Sequence, residues 1–211
     1  MIPYFQLQVL QLGSIPIQVW GLFVSAGILA AAWFAARQAA RTGLSADKVW
    51  SAAFGMVIWA FVGARLVHVF GYFWDYYSVV PWDILKVWQG GFSAAGGLIG
   101  GLLYFIYFAR RRSLDFWRYL DCIAMAFPLG YAIGRLGCFL IHDHPGTLSS
   151  FVLAVRYPDG SRHDLGLDLS LSAWLMFVVV LLLRRFGGSR LPARFYSSVV
   201  FIWYGLTRFF L

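Results

Sequence analysis

Glutamate is absent from this chain: all nine of its acidic residues are aspartate. Charge of either sign is scarce. Of 211 residues, 12% are charged and 61% hydrophobic, a balance too apolar for a soluble domain. Basic residues outnumber acidic ones and leave a net charge of +8. They stand at the ends of apolar runs instead of forming one basic face, which argues against a nucleic-acid partner. Cysteine is limited to Cys122 and Cys138, both among apolar neighbours. That excludes a disulfide framework and leaves buried free thiols as the simplest reading. A cleavable signal peptide is also missing, because MIPYFQLQVLQLG has neither a basic start nor a short apolar core. The first apolar run is therefore expected to stay as an anchor. With no long-period repeat and no low-complexity tail, residues 1–211 read as a single integral membrane domain.

What is there is a series of apolar stretches. Six spans are expected, at about Ile17–Ala36, Val49–Phe73, Phe92–Ala109, Tyr119–Ile141, Leu169–Leu183 and Phe195–Leu211. About 20 residues are needed to cross the hydrocarbon, so the third and fifth look short. Eleven of the seventeen Lys and Arg fall after span one, after span three, and between spans five and six. Those loops are expected to be cytoplasmic, with the N-terminus, the loop Trp74–Gly91 and the segment His142–Asp168 outside. Within that segment, FVLAVRYPDGSRHDL reads as a strand, a turn at Pro158-Asp159-Gly160 and a second strand. The fold class is thus an all-α membrane bundle of about six transmembrane helices, with residues 142–168 inserted as a small extracytoplasmic β-containing cap. Trp74, Tyr76, Tyr77, Trp82 and Trp88 in the other outer loop read as interfacial anchors.

Three arginines sit in or at the edge of spans: Arg65, Arg135 and Arg208. Each is costly there, about 2.5–3.5 kcal/mol at mid-helix. The topology puts all three in the outer halves of their spans, where together they would hold an anionic group such as a phosphate. Alternatively Arg65 pairs with Asp75 or Asp83, or snorkels outward. His68 shares its helical face, and Tyr204 lies one turn before Arg208. Glycines cluster at Gly90-Gly91, Gly96-Gly97 and Gly100-Gly101. Small-xxx-small pairs at Gly97/Gly101 and Gly130/Gly134 point to close helix packing. The other reading of the WQGGFSAAGGLIGG stretch is a close approach of backbone to a lipid head group. Asp121 reads as a capping or salt-bridge residue near the inner interface.

The order WGLFVSAG, WQGGFSAAGGLIGG, IGRLGCFLIHDHPG and WYGLTRFF resembles the bacterial prolipoprotein diacylglyceryl transferases over nearly the whole chain. The resemblance implies a multi-pass inner-membrane enzyme that needs no metal or organic cofactor. Its substrates would be phosphatidylglycerol or a similar anionic phospholipid, and a prolipoprotein signal peptide. The diacylglyceryl group passes to the lipobox cysteine as a thioether, and glycerol phosphate leaves. It also implies that Arg135 binds phosphate, that Gly146 and the pair Tyr204 and Arg208 are functional, and that Arg65 matches an arginine of the second span.

Departures from the family pattern stand beside these matches. Ala95 replaces a histidine, Trp20 a tyrosine and Cys138 an asparagine. No glutamate fills the usual places, and members normally run on into a seventh span where this chain stops at Leu211, as a divergent branch or a shortened chain would. The proton-accepting step then falls to His142 or His144, which flank Asp143, with Arg162-His163-Asp164 further on. Ordinary solvated loop residues are the plain alternative. Metal binding has histidines and aspartates available but no strong ligand spacing, and no metal is expected. A phospholipid-binding protein of the same fold with impaired or repurposed chemistry is the second reading. A transporter is a third, weakened by the lack of paired inverted halves.

Overall fold

The computed structural model describes residues 1–13, 15–187 and 191–210. It is mostly helical. Four helices among these residues are long and apolar enough to cross a membrane. They are α1 (Val19–Arg41), α2 (Ala46–Val67, prolonged by a π-helical turn, His68–Tyr72), α5 (Phe116–Ile141) and α6 (Leu165–Gly187). α4 (Ala94–Arg111) has 18 residues and α7 (Phe195–Phe210) has 16. These six helices fall where six spans were expected. Leu211, expected at the end of the last, lies outside the described residues. The fifth expected span is not short: α6 begins at Leu165, because the Asp164 carboxylate accepts the Leu167 N–H and caps its first turn. Asp121 is likewise a cap. Its two carboxylate oxygens accept the backbone N–H groups of Arg194 and Ser197 at the start of α7.

The chain divides into two compact units, 1–42 with 120–211, and 43–119. In the first, α5 is the central helix. Gly27 on α1 meets Gly130 so closely that a Cβ at Gly27 would stand 2.6 Å from the Gly130 carbonyl oxygen. Gly166 on α6 is equally tight against the Phe139 backbone, and Ser170 donates to the Ala132 carbonyl. The Trp203 indole on α7 donates to Ser172 on α6. Close packing is thus the use of Gly130.

Strand structure is not confined to residues 142–168. β5 (Val155–Tyr157) and β6 (Gly160–Asp164) form the expected hairpin, joined by β4 (Pro145–Leu148). The fourth strand is β1 (Ile2–Pro3), which pairs in parallel with β5. β2 (Val9–Leu12) and β3 (Ile15–Gln18) make a separate antiparallel ribbon that runs into α1. The N-terminal segment also closes the end of α5. Leu7 N–H donates to the Leu140 carbonyl and the Gln6 amide to the Ile141 carbonyl, two acceptors a helix end leaves unpaired.

The second unit is α2 packed on α4, with a connecting segment that contains α3 (Trp74–Val79) and two short 3₁₀ turns (Pro81–Leu85 and Val87–Gln89). Gly63 meets Gly96 and Gly100 backbone to backbone. The tight stripe is therefore Gly96/Gly100, and Gly97 and Gly101 stand at ordinary contact distance. Trp74, Tyr76, Trp82 and Trp88 are exposed, whereas Tyr77 is buried and is no interfacial anchor.

Candidate active site

Tyr131, Arg135 and Cys138 follow at helical spacing on α5 and share one face. The Arg135 guanidinium lies 5.0 Å from the centroid of the Tyr131 ring. From α7, Tyr204 meets the same ring edge-on at 5.8 Å, and Arg208 is within electrostatic reach of it. Three residues singled out by sequence thus converge on a fourth, Tyr131, which was not. Its hydroxyl is buried and has no hydrogen bond of full geometry among the described residues, although Arg135 stands beside it. No carboxylate among the described residues pairs with Arg135 or Arg208. Two cations and a phenol hydroxyl left without anionic partners suit an oxyanion brought in from outside.

Toward the end of α5 the same face continues to Cys138. Its thiol has the Trp20 indole, Arg135 and Asp143 as polar neighbours. Cys138, Asp143 and His144 each present a donor atom, and the three atoms lie within 4.8 Å of one another. Asp143 Oδ1 and His144 Nδ1 are 2.5 Å apart. Cys138 is buried; Asp143 and His144 are exposed.

His142 has a different task. It follows the last residue of α5 with φ +50°, the left-handed conformation that commonly ends a helix and that costs a non-glycine residue about 1–2 kcal/mol. Its side chain is wholly buried. Nδ1 is 2.6 Å from Asp164 Oδ2, which also accepts the Tyr157 hydroxyl at 2.6 Å. Burial, then the bond to Asp164, push the Tyr157 phenol well above its ordinary range, so it remains a donor. Tyr4 stacks on the imidazole at 5.0 Å, and Phe5 and Phe139 meet it edge-on. This box holds the backbone turn that folds Asp143 and His144 back over Cys138. Of the two histidines proposed for proton transfer, His144 stands with Cys138 and Asp143, and His142 is the clamp behind them, its buried Nε2 without a hydrogen-bond partner among the described residues.

Arg65, in the other unit, is committed elsewhere. Nε donates to Ile84 O at 3.0 Å, Nη1 to Gly90 O at 2.6 Å and Gly91 O at 3.0 Å, and Nη2 to Asp83 O at 2.6 Å. Four of its five N–H groups are spent on backbone carbonyls, and its charge lies against the Tyr77 ring. The expected phosphate ligand is here the clasp of the connecting segment. Gly90 and Gly91 have φ +83° and +77°, which turn their carbonyls toward it, and a Cβ at Gly91 would collide with His68 Nε2 and Arg65 Nη1. What these glycines admit is a guanidinium and an imidazole, not a lipid head group.

Residues 8–211 match the family model described as prolipoprotein diacylglyceryl transferase. The chain belongs to this family. A relative from Bacillus velezensis, named phosphatidylglycerol–prolipoprotein diacylglyceryl transferase, is 33% identical over 95% of this chain and 77% of its own length. Relatives of the same name from Bacillus mycoides and Bacillus cereus strain Q1 are 33% and 32% identical, each over 99% of this chain and 80% of the relative.

In this family member Gly146 lies in β4, where a Cβ would stand 3.0 Å from the His163 carbonyl oxygen. Arg162 donates to the Gly146 carbonyl. His163 pairs with Asp168, apart from the Cys138 cluster. Tyr131 was within reach of the sequence, being one helical turn before Arg135. Cys138 stood there as a departure with an apolar setting, and only the fold shows which loop covers it.

Proposed function

We propose that this chain transfers the diacylglyceryl group of phosphatidylglycerol to the cysteine thiol of a prolipoprotein signal peptide. The observation that carries this is the convergence of Arg135, Tyr204 and Arg208 on Tyr131, with no carboxylate among the described residues to neutralise them. In the reaction the thiol sulfur attacks the glyceryl carbon that bears the phosphate ester. The S–C bond forms as the C–O bond breaks, and the electron pair leaves with glycerol phosphate. Negative charge on the phosphate grows along that path. Guanidinium groups fixed around it therefore bind the transition state more strongly than the lipid. Tyr131 and Tyr204 supply neutral donors to the remaining phosphate oxygens.

The sulfur must lose its proton before or during attack. Ala95 has no group to accept it, so the proton leaves at the other end of the Arg135 face, where Cys138, Asp143 and His144 meet. Arg65 serves by holding the connecting segment. The six helices cross a bacterial inner membrane with the N-terminus and the sheet outside, as the basic loops dictate. That puts the site at the outer leaflet, where a signal-peptide cysteine and an anionic phospholipid meet. Gly146 keeps the sheet close to this mouth.

The test is turnover of labelled phosphatidylglycerol with a lipobox peptide, with release of glycerol phosphate as the readout. Arg135→Ala is expected to lower transfer by about 10²–10³, the usual loss for one charge-stabilising donor, with insertion unchanged. Undiminished turnover in that variant, or lipid binding without any release by the wild type, contradicts the assignment.

A further inference from the structure

We propose that Cys138, Asp143 and His144 form a binding site for a divalent transition-metal ion of the zinc type. Thiolate, carboxylate and imidazole are the donor set that zinc favours, and three protein ligands with a fourth position open is its pattern in catalytic sites. The three donor atoms already lie within 4.8 Å of one another. Tetrahedral bonds of about 2.0–2.3 Å require ligand separations of about 3.3–3.7 Å, so closure needs movements of about an ångström. Asp143 and His144 are exposed loop residues, free to make them, while Cys138 is fixed in α5.

Two further features favour the site. The turn that brings Asp143 and His144 over Cys138 is built at the cost of a left-handed histidine, His142, held by Asp164, Tyr157 and three aromatic rings. That expenditure places the ligands before any ion arrives. The charges also balance. Arg135 beside Cys138 would repel a bare dication, but a thiolate and a carboxylate cancel the ion's two charges and leave the guanidinium for the phosphate.

The consequence rests on the proposed transferase reading. The open fourth position takes the acceptor thiol as thiolate, and the thiol's proton goes to solvent. The chain then needs no histidine at Ala95.

The experiment uses the full chain purified in detergent, stripped with chelator and given zinc or cobalt alone. One equivalent of zinc per chain is expected, with a thiolate-to-cobalt charge-transfer band in the cobalt form. Cys138→Ser and His144→Ala should each lose the band and at least tenfold in affinity, and Asp143→Asn should weaken it. His163→Ala, whose partner is Asp168, should bind as wild type. Thermal unfolding of each variant checks that it is folded. Transfer should fall at least tenfold on chelation and return with zinc. Stoichiometric metal without any transfer upholds the site and overturns the transferase reading. Transfer unaffected by chelation, with His144→Ala inactive and no cobalt–thiolate band, overturns the metal and leaves His144 as the proton acceptor.

Discussion

Arg65→Met is expected to release the segment between α2 and α4 while leaving the phospholipid phosphate bound. The substitution keeps an unbranched side chain and removes the guanidinium. Four carbonyls, of Asp83, Ile84, Gly90 and Gly91, lose their donors. A hydrogen bond to a charged group is worth about 1.5–3 kcal/mol net, which summed over four would give about 6–12. The sum overstates the effect. Burying the guanidinium costs several kcal/mol that the variant regains, and freed carbonyls on an outer segment can turn to water. About 3–5 kcal/mol of local stability is the reasoned loss, equal to roughly two to nearly four decades in an opening equilibrium. Hydrogen exchange reads it directly at the amides of Asp83, Lys86 and Gly90, which bond within the segment to Val80, Asp83 and Val87. Arg65→Lys, with a single ammonium that cannot span the same carbonyl set, should recover less than half of the protection. Unchanged exchange in Arg65→Met, together with lost affinity for phosphatidylglycerol, would refute this and return Arg65 to the phosphate.

Gly27→Leu forces a side chain into the Gly130 carbonyl at the α1–α5 crossing, and an overpacking loss of about 1–3 kcal/mol or more is expected as a lowered unfolding temperature in detergent. At the hairpin turn, the Arg162 hydrogen bond holds the Asp159 carboxyl below its ordinary range. That contribution is fully present above the unfolded carboxylate value of about 3.9 and is lost as pH falls through the lower folded one. Protection of the β5–β6 amides, taken against their intrinsic exchange rates at each pH, should therefore stay flat from neutral pH down to about 4 and fall only below it, and Asp159→Asn should abolish the step.

Legibility differed by kind of interaction. Helices were plain because apolar length is a local property, and the hairpin because Pro158-Asp159-Gly160 ends one strand and begins another. β1 was not, since two residues carry no period and their pairing with β5 reaches from Ile2 to Val155. α6 began four residues early because its cap, Asp164, also belongs to the sheet. In the candidate site, Arg135, Tyr204 and Arg208 were singled out by what a charge costs in a membrane and by their motifs. The same cost argument did not foresee the partners of Arg65, because a buried guanidinium can be satisfied by carbonyls as fully as by a phosphate. Sequence supplied the cost and was silent on the partner.

The departures from the family pattern bear on whether the chemistry was lost or moved. If selection on the site had ended, replacements would fall without regard to one another. Trp20, Cys138 and Arg135 instead lie in one neighbourhood. Two of the departures therefore fall close together. Beside that same cysteine stand a histidine and an aspartate, His144 and Asp143, on a backbone turn that the protein keeps at an energetic cost. The histidine that strains the turn also holds it, through its bond to Asp164 and its contacts with three rings. The strained turn, its clamp and Arg135 stand toward one end of α5, which favours the reading of a rearranged site over a decayed one.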